Sequence, residues 1–131
     1  MLLSICIVWK ILTLYLLYCS KTSDKYLLLI SLIGQLFLLY GVIYKNNYII
    51  EICHIIYWIA VICGTIIYKE KNNILFTLLN ISLILLTRFY YKDCLFYMAN
   101  NRTKLYEVTF EIHHICIFLI LILLFKLYRL H

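Results

Sequence analysis

The chain has 131 residues, of which 66% are hydrophobic and 14% are charged, and its formal net charge is +6. A soluble domain carries about 45–50% apolar and about 25% charged residues. The polar residues left here cannot cover so apolar a core, so the composition predicts an all-α integral membrane protein. The excess lysine and arginine flank the apolar segments, where such residues anchor lipid headgroups, and a nucleic-acid partner is not expected.

Residue usage bears on origin, and the cysteines bear on cross-linking. The chain is rich in Ile, Leu, Tyr, Lys and Asn, which AT-rich genomes favour. This usage suggests a viral, organellar, protist or bacterial origin and leaves the host membrane open. The six cysteines form no CxxC pair and lie within or beside apolar segments. We interpret them as small buried hydrophobic residues rather than as a disulfide framework.

Five apolar segments separated by charged breaks predict a bundle of five transmembrane helices in a single polytopic domain, 1–131. A helix needs about 20 residues to cross hydrocarbon about 30 Å thick. The apolar runs are continuous, which argues against a β-barrel, whose strands alternate. The predicted spans, joined by short loops and by one longer connecting segment at 90–107, are 2–19, 26–44, 48–68, 74–89 and 108–128.

The first segment also has some features of a signal peptide. It lacks a charged leading region, Lys10 interrupts its apolar run, and Tyr18–Cys19 offers no small-residue cleavage site. These features favour an uncleaved first span. A four-helix bundle is the alternative, if the first helix lies flat on the membrane or is removed.

Short loops predict antiparallel neighbours and therefore two faces. Side X holds the N-terminus, the 45–47 loop and the 90–107 segment, and side Y is the opposite face. Lysine and arginine residues number five on side X and six on side Y, so the positive-inside rule leaves the orientation open. The residues counted are Lys45, Arg88, Lys92, Arg102 and Lys104 against Lys21, Lys25, Lys69, Lys71, Lys126 and Arg129.

Two Glu-x-x-His pairs are the most chemically suggestive motif. Glu51 and His54 open the third span, and Glu111 and His114 open the fifth. Spacing of three residues places each pair on one helix face, because a turn takes about 3.6 residues. Both spans begin on side X, so the pairs lie at matching depth. The candidate metal ligands are therefore Glu51, His54, Glu111 and His114, with Glu107 as a possible fifth.

Four interpretations of these pairs remain open. In the first they are polar residues near the interface, with each acid paired to Lys45, Arg88 or Arg102. In the second they bind metal, as in helical di-metal carboxylate proteins, although fewer glutamates are present here. In the third, two histidines ligate haem iron, His54 with His114 or His113. In the fourth they form a proton or ion path.

A further group of residues is expected to pack helices together. Ser31, Gly34 and Gly41 fall near one face of the second span, which lets another helix approach closely. Gln35 and Asn80 place amides in the middle of the second and fourth spans, where they can form hydrogen bonds between helices.

These features predict a small membrane protein without a catalytic constellation. No nucleophile–base arrangement can be argued, and three glycines exclude phosphate-cradling loops. The chain is expected to be a non-catalytic structural or accessory subunit of a larger membrane assembly. Its partners would be the lipid bilayer and other membrane subunits or a second copy. The alternatives are a metal- or haem-binding redox subunit and a small proton or cation conductor.

Overall fold

A computed structural model of the protein describes residues 2–91 and 112–130. Within these ranges every regular element is an α-helix. The five helices are α1 (Leu2–Cys19), α2 (Asp24–Ile43), α3 (Asn47–Ile67), α4 (Lys71–Tyr91) and α5 (Ile112–Arg129). Most of the predicted 90–107 segment, together with Glu107 and Glu111, lies outside the described residues.

Four of the described helices, α2 to α5, are long and apolar enough to cross a membrane. The apolar stretch of α1, Leu3–Cys19, is shorter. The helix α1 has the predicted bounds, whereas α2 begins at Asp24 and α4 at Lys71, two and three residues before the predicted spans. The reason is that hydropathy marks the apolar length of a helix, and polar residues can form its first turn.

The helices pack in an order that follows the chain. Helix α1 packs against α2, α2 against α3, and α4 against α5, while α3 also contacts α4 and α5. The starts of α2 and α4 meet through Asp24 and Glu70, and the end of α5 meets the end of α3 through Lys126. These contacts between helix ends all lie on side Y. They are the contacts expected of an up-and-down bundle, in which each helix runs antiparallel to the one before it.

The apolar core has two parts. All five helices contribute to the larger part. It contains Leu16, Leu28, Val61, Tyr68, Ile74, Ile81, Cys116, Leu119 and Leu123. The smaller part lies towards side X and contains Cys6, Leu38, Ile50 and Cys53. The five described cysteines are free thiols, and three of them belong to these cores. They therefore pack as small apolar side chains.

A tight turn at residues 44–46 brings α2 and α3 together. Lys45 adopts a left-handed conformation with φ 52°, and Asn46 caps α3 by accepting from the Ile49 N–H at 3.2 Å. Gly41 lies where α2 packs tightly against the start of α3. A Cβ there would be 2.9 Å from Ile49 Cγ2 and 3.3 Å from both Ile49 Cβ and Ile50 Cγ1.

The substitution Gly41→Ala is expected to destabilise the protein. The added methyl group meets a β-branched side chain that cannot move aside, and such overpacking costs about 1–3 kcal/mol. Gly34→Ala is the matched control in the same helix, because its Cβ would lie 3.8 Å from Ile56 Cγ2, an ordinary contact. Reversible unfolding in detergent micelles measures both. Equal stability of the two variants would contradict the proposed close approach.

Candidate functional site

A buried asparagine in the middle of α4 joins three helices. Asn80 Oδ1 accepts a hydrogen bond from the Tyr57 hydroxyl of α3 at 2.9 Å and another from Trp9 Nε1 of α1. Its Nδ2 donates to the Phe76 carbonyl at 2.7 Å, and the Trp9 ring lies 5.9 Å from the Phe76 ring. Both polar atoms of this amide are thus bonded inside the bundle.

The glutamine in the middle of α2 extends the same network. Gln35 Nε2 donates to Thr13 Oγ1 at 2.8 Å and to Ser31 Oγ at 3.4 Å. The Thr13 hydroxyl in turn donates to the Trp9 carbonyl at 2.8 Å. Gln35 Oε1 is buried and receives no hydrogen bond from the described residues. Gln35 therefore bonds α2 to α1 through its Nε2, while its Oε1 accepts no hydrogen bond from the described residues.

A partly open cavity of about 30 Å³, named the polar cavity for its two amides although apolar side chains also line it, lies between α1, α2, α3 and α4. Its lining includes Gln35 and Asn80 together with hydroxyls from the neighbouring helices. The lining residues are Trp9, Ser31, Gln35, Tyr57, Ala60, Val61, Tyr68, Phe76, Thr77 and Asn80. The two mid-span amides thus flank a single polar space in the middle of the bundle.

One face of α4 carries buried polar residues from side Y to this cavity. Asn73, Thr77 and Asn80 are 1%, 4% and 4% exposed, and their spacing places them on one helix face. The Thr77 hydroxyl donates to the Asn73 carbonyl at 2.9 Å. A continuous polar stripe thus leads from the start of α4 into the bundle.

A fully buried carboxylate lies at the side Y end of this stripe. Asp24 Oδ2 accepts from the Lys69 and Glu70 N–H groups, both at 2.9 Å, and from Asn73 Nδ2 at 3.1 Å. The first residue of α2 thereby satisfies two backbone donors of the loop that leads into α4. Asp24 Oδ1 is buried and receives no hydrogen bond from the described residues.

Glu70 reciprocates this contact at the start of α4. Its Oε1 accepts from Ser20 Oγ at 2.9 Å, the Lys21 and Thr22 N–H groups at 2.9 and 2.8 Å, and Thr22 Oγ1 at 2.7 Å. Hydrogen bonds from Thr22, and then from Ser20 and Lys21, lower the pKa of Glu70 to about 2, against a smaller opposing effect of burial. Asp24 at the start of α2 therefore holds the loop before α4, and Glu70 in that loop holds the loop before α2.

Lys126 completes the polar layer on side Y. Its Nζ donates to the Thr65 and Ile66 carbonyls at 2.8 and 2.9 Å. These carbonyls belong to the last turn of α3, where helical acceptors lack partners within the helix and cations are favoured. Helix α5 is thus bonded to α3 at the face where Asp24 and Glu70 bond α2 to α4.

The predicted acid–histidine residues are distributed unevenly on side X. Glu51 and His54 are buried, at 2% and 7% exposure, and His54 Nε2 accepts from Trp58 Nε1 at 3.2 Å. Arg88 lies close enough to His54 to interact electrostatically. His114 and His113 are exposed.

The described residues include only part of the predicted metal site. Residues 2–91 and 112–130 contain no cluster of three or more His, Cys, Asp or Glu side chains able to hold a metal ion. Glu111 and Glu107, which would complete the predicted ligand set, lie outside these ranges. The metal, haem and proton-path interpretations of the Glu-x-x-His pairs therefore remain predictions.

The helix-packing candidates occupy one region of the fold. Gly41 and Gly34 face Ile49 and Ile56 of α3. Ser31 and Gln35 bond to each other across one turn. Asn80 meets Trp9 and Tyr57 from two other helices, as described above. The two glycines of α2 thus contact another helix of the same chain.

Several residues of the polar network were not identified from the sequence. Asp24 and Glu70 lie in the charged breaks between the predicted spans, where an acid at a helix start is a recognised signal. Trp9 and Tyr57 carry a weaker signal, because a buried Trp or Tyr usually finds a hydrogen-bond partner. Their shared partner, Asn80, is 71 and 23 residues away and could be found only from the fold.

A comparison of the chain with protein families, curated proteins and solved structures found no match.

The substitution Asp24→Ala is expected to destabilise the bundle by about 3 kcal/mol or more, because each buried donor left without its acceptor costs about 1–3 kcal/mol. Two backbone N–H groups and Asn73 Nδ2 lose their acceptor. Lys25→Ala is the control, since the neighbouring Lys25 is exposed. Urea or SDS unfolding followed by tryptophan fluorescence measures both variants, and equal losses would show that the Asp24 contacts contribute nothing.

A second experiment tests Glu70 through pH. The pKa of Glu70 is about 2 in the folded chain and ordinarily 4.5, so its contribution to stability is complete above pH 4.5 and is lost as the pH falls towards 2. The wild type is expected to be more stable than Glu70→Gln at pH 7, and the difference should shrink over this range. Unfolding midpoints from pH 7 to 2.5 give the curve. A difference that does not change with pH would refute the charged hydrogen bonds.

Proposed function

We propose that this chain is a multi-pass integral membrane protein that works as a non-catalytic structural or accessory subunit of a larger membrane assembly. The observation that carries the proposal is the use of its polar groups in the bundle and at the helix ends. Asp24, Glu70, Asn80 and Lys126 each bond a different helix or loop from their own. Side chains engaged in this way hold helices in place and do not offer a reactive group to a substrate.

The loops support the same conclusion. The connections between the first four helices are residues 20–23, 44–46 and 68–70. The first and third of these are bonded to each other through Glu70 and Asp24. Three or four residues cannot form a substrate-binding domain, so in the described part of the chain the helices themselves are the functional surface.

Burial is uneven among the helices. Within the apolar stretch of α3, 39% of the residues are buried inside the chain, whereas the shares in α2 and α5 are 11% and 17%. Helix α3 therefore lies at the centre, and α2 and α5 present most of their side chains outwards. Outward apolar surface of this extent is suited to lipid and to the helices of other subunits.

A second candidate, a small proton or cation conductor, is favoured by one observation. The buried polar stripe Asn73–Thr77–Asn80 leads from Asp24 to the polar cavity, and conducting proteins place such groups in the bundle interior. The third candidate, a redox subunit, depends on Glu51, His54, Glu111 and His114 meeting at one metal or haem.

Purification in mild detergent from the native membrane tests the proposal. Native mass spectrometry is expected to find the chain with other membrane proteins at a fixed stoichiometry. The double variant His54→Ala/His114→Ala should assemble at the same stoichiometry, because the proposed role needs no ligand at these positions. The matched perturbation is Asp24→Ala, which should reduce the assembled fraction by loosening the bundle.

Other results would contradict this function. Purification of the chain from native membranes as a single-chain species would contradict a role in an assembly. A Soret band, or near-stoichiometric iron, copper or zinc that vanishes in the double variant, would establish the redox candidate. Proton leakage of liposomes containing the purified chain, suppressed by Glu51→Gln or Glu111→Gln, would establish the conductor.

A further inference from the structure

We propose that side Y carries a binding site for the headgroup of an anionic phospholipid, formed by Lys21, Lys25 and Lys69, which we call the lysine patch. The site rests on the membrane location proposed above, and it adds one lipid class and one face. It does not depend on the subunit role. Three observations carry the proposal: the distribution of charge between the two faces, the bonding of the acids beside the patch and the depth of the patch.

Most of the net positive charge lies on side Y. The predicted topology places the six basic residues counted above on side Y with two acids, Asp24 and Glu70. It places five basic residues on side X with four acids, which are Glu51, Asp93, Glu107 and Glu111. Side Y therefore has the larger excess of positive charge, and electrostatic attraction favours an anionic partner at that face.

Hydrogen bonds between two loops bring the lysines of the patch together. The Lys21 N–H donates to Glu70 Oε1 and the Lys69 N–H donates to Asp24 Oδ2, both at 2.9 Å. Lys25 directly follows Asp24 in the chain. All three lysine side chains are exposed. The patch therefore presents ammonium groups from two parts of the chain that are bonded to each other.

The acids beside the patch are bonded within the protein. Asp24 is fully buried and accepts from the Lys69 and Glu70 N–H groups and from the Asn73 amide. Glu70 Oε1 accepts from hydroxyls and backbone N–H groups of the loop before α2. All of these donors are backbone groups or neutral side chains. The ammonium groups of the patch are therefore left to bind the oxygens of an external anion.

Exposed tyrosines mark the headgroup level on the same face. Tyr18 at the end of α1, Tyr26 at the start of α2 and Tyr128 at the end of α5 are 90%, 65% and 80% exposed. Tyrosine is enriched where a membrane meets water. Lys25 Nζ lies 5.7 Å from the centroid of the Tyr26 ring, so the patch lies at this level. A lipid phosphate can thus reach the lysines while its acyl chains lie along the outward face of α2.

The chemistry of the patch selects the class of lipid. A lysine ammonium is a compact charge with three N–H donors, and its hydrogen bonds to phosphate oxygens are strengthened by charge. In phosphatidylcholine a quaternary ammonium group offsets the charge of the phosphate, whereas phosphatidylglycerol keeps a net negative charge. The attraction of one basic residue to an anionic lipid surface corresponds to roughly fivefold in affinity. Phosphatidylglycerol is therefore the lipid expected to bind more tightly.

Titration of the detergent-solubilised full chain with lipid tests the proposal. Native mass spectrometry measures the binding of dioctanoyl phosphatidylglycerol and dioctanoyl phosphatidylcholine, which have the same acyl chains. Phosphatidylglycerol is expected to bind roughly fivefold more tightly or better. The variant Lys21→Gln/Lys25→Gln/Lys69→Gln should bind the two lipids equally. Arginine at the same three positions should keep the preference, because it keeps the charge.

Lys45→Gln is the matched control, because it removes one exposed charge from the 44–46 turn on side X. It should leave the preference unchanged, whereas Lys69→Gln should lower it. Equal binding of the two lipids by the wild type would overturn the proposal, and so would a preference that survives the triple glutamine substitution. Displacement of phosphatidylglycerol by inorganic phosphate, beyond that by chloride at equal ionic strength, would show a site for free phosphate and would overturn it too.

Failure of this proposal can be distinguished from failure of the proposed function. Equal binding of the two lipids overturns the lysine patch and leaves the fixed stoichiometry with other subunits as it is. A chain that prefers phosphatidylglycerol but purifies alone contradicts the subunit role and not the patch. Release of the chain from native membranes by alkaline carbonate would contradict the membrane location, on which both proposals rest.

Discussion

Inside an apolar bundle, a buried polar side chain needs a hydrogen-bond partner within the protein, and the arrangement of this fold depends on the groups that find that partner on another helix. Asn80 satisfies it by accepting from α1 and α3 at once. Asp24 satisfies it by accepting three hydrogen bonds at the start of α4. Apolar packing is tolerant of sliding and rotation, whereas these contacts require one register. The polar groups therefore specify which helices meet and at which depth.

Asp24 and Glu70 form reciprocal contacts between the start of α2 and the loop before α4. Asp24 bonds the start of α4, and Glu70 bonds the loop before α2, so each helix start depends on a carboxylate from the other. Helices α2 and α4 are separated in sequence by all of α3. The contacts of Asp24 and Glu70 therefore hold these two neighbours of α3 together on side Y. Lys126 adds α5 to the same face by bonding the end of α3. The side Y layer is thus a continuous set of helix ends joined by charged groups.

Part of this arrangement was predictable from the sequence. Apolar length located the helices to within about three residues at each described end, because burial in an apolar environment needs long uninterrupted runs. Their position in the middle of the spans also identified Gln35 and Asn80 as amides able to bond between helices. The partners of those amides were not predictable, since Trp9 and Tyr57 lie 71 and 23 residues from Asn80. Hydropathy also concealed Asp24 and Glu70, because it treats a buried carboxylate and a solvated one alike.

The position of the unsatisfied acceptors connects the fold to its function. The sequence directs attention to side X, where the Glu-x-x-His pairs begin, but most of the described interior hydrogen bonds lie on side Y and in the middle of the bundle. There nearly every polar atom has a partner on the chain, as helix joints require. The exceptions, Asp24 Oδ1 and Gln35 Oε1, are both oxygens and lie towards the two ends of the polar stripe of α4. Asp24 and Gln35 thus each join helices through some of their polar atoms, while one oxygen of each is an acceptor that no described residue fills.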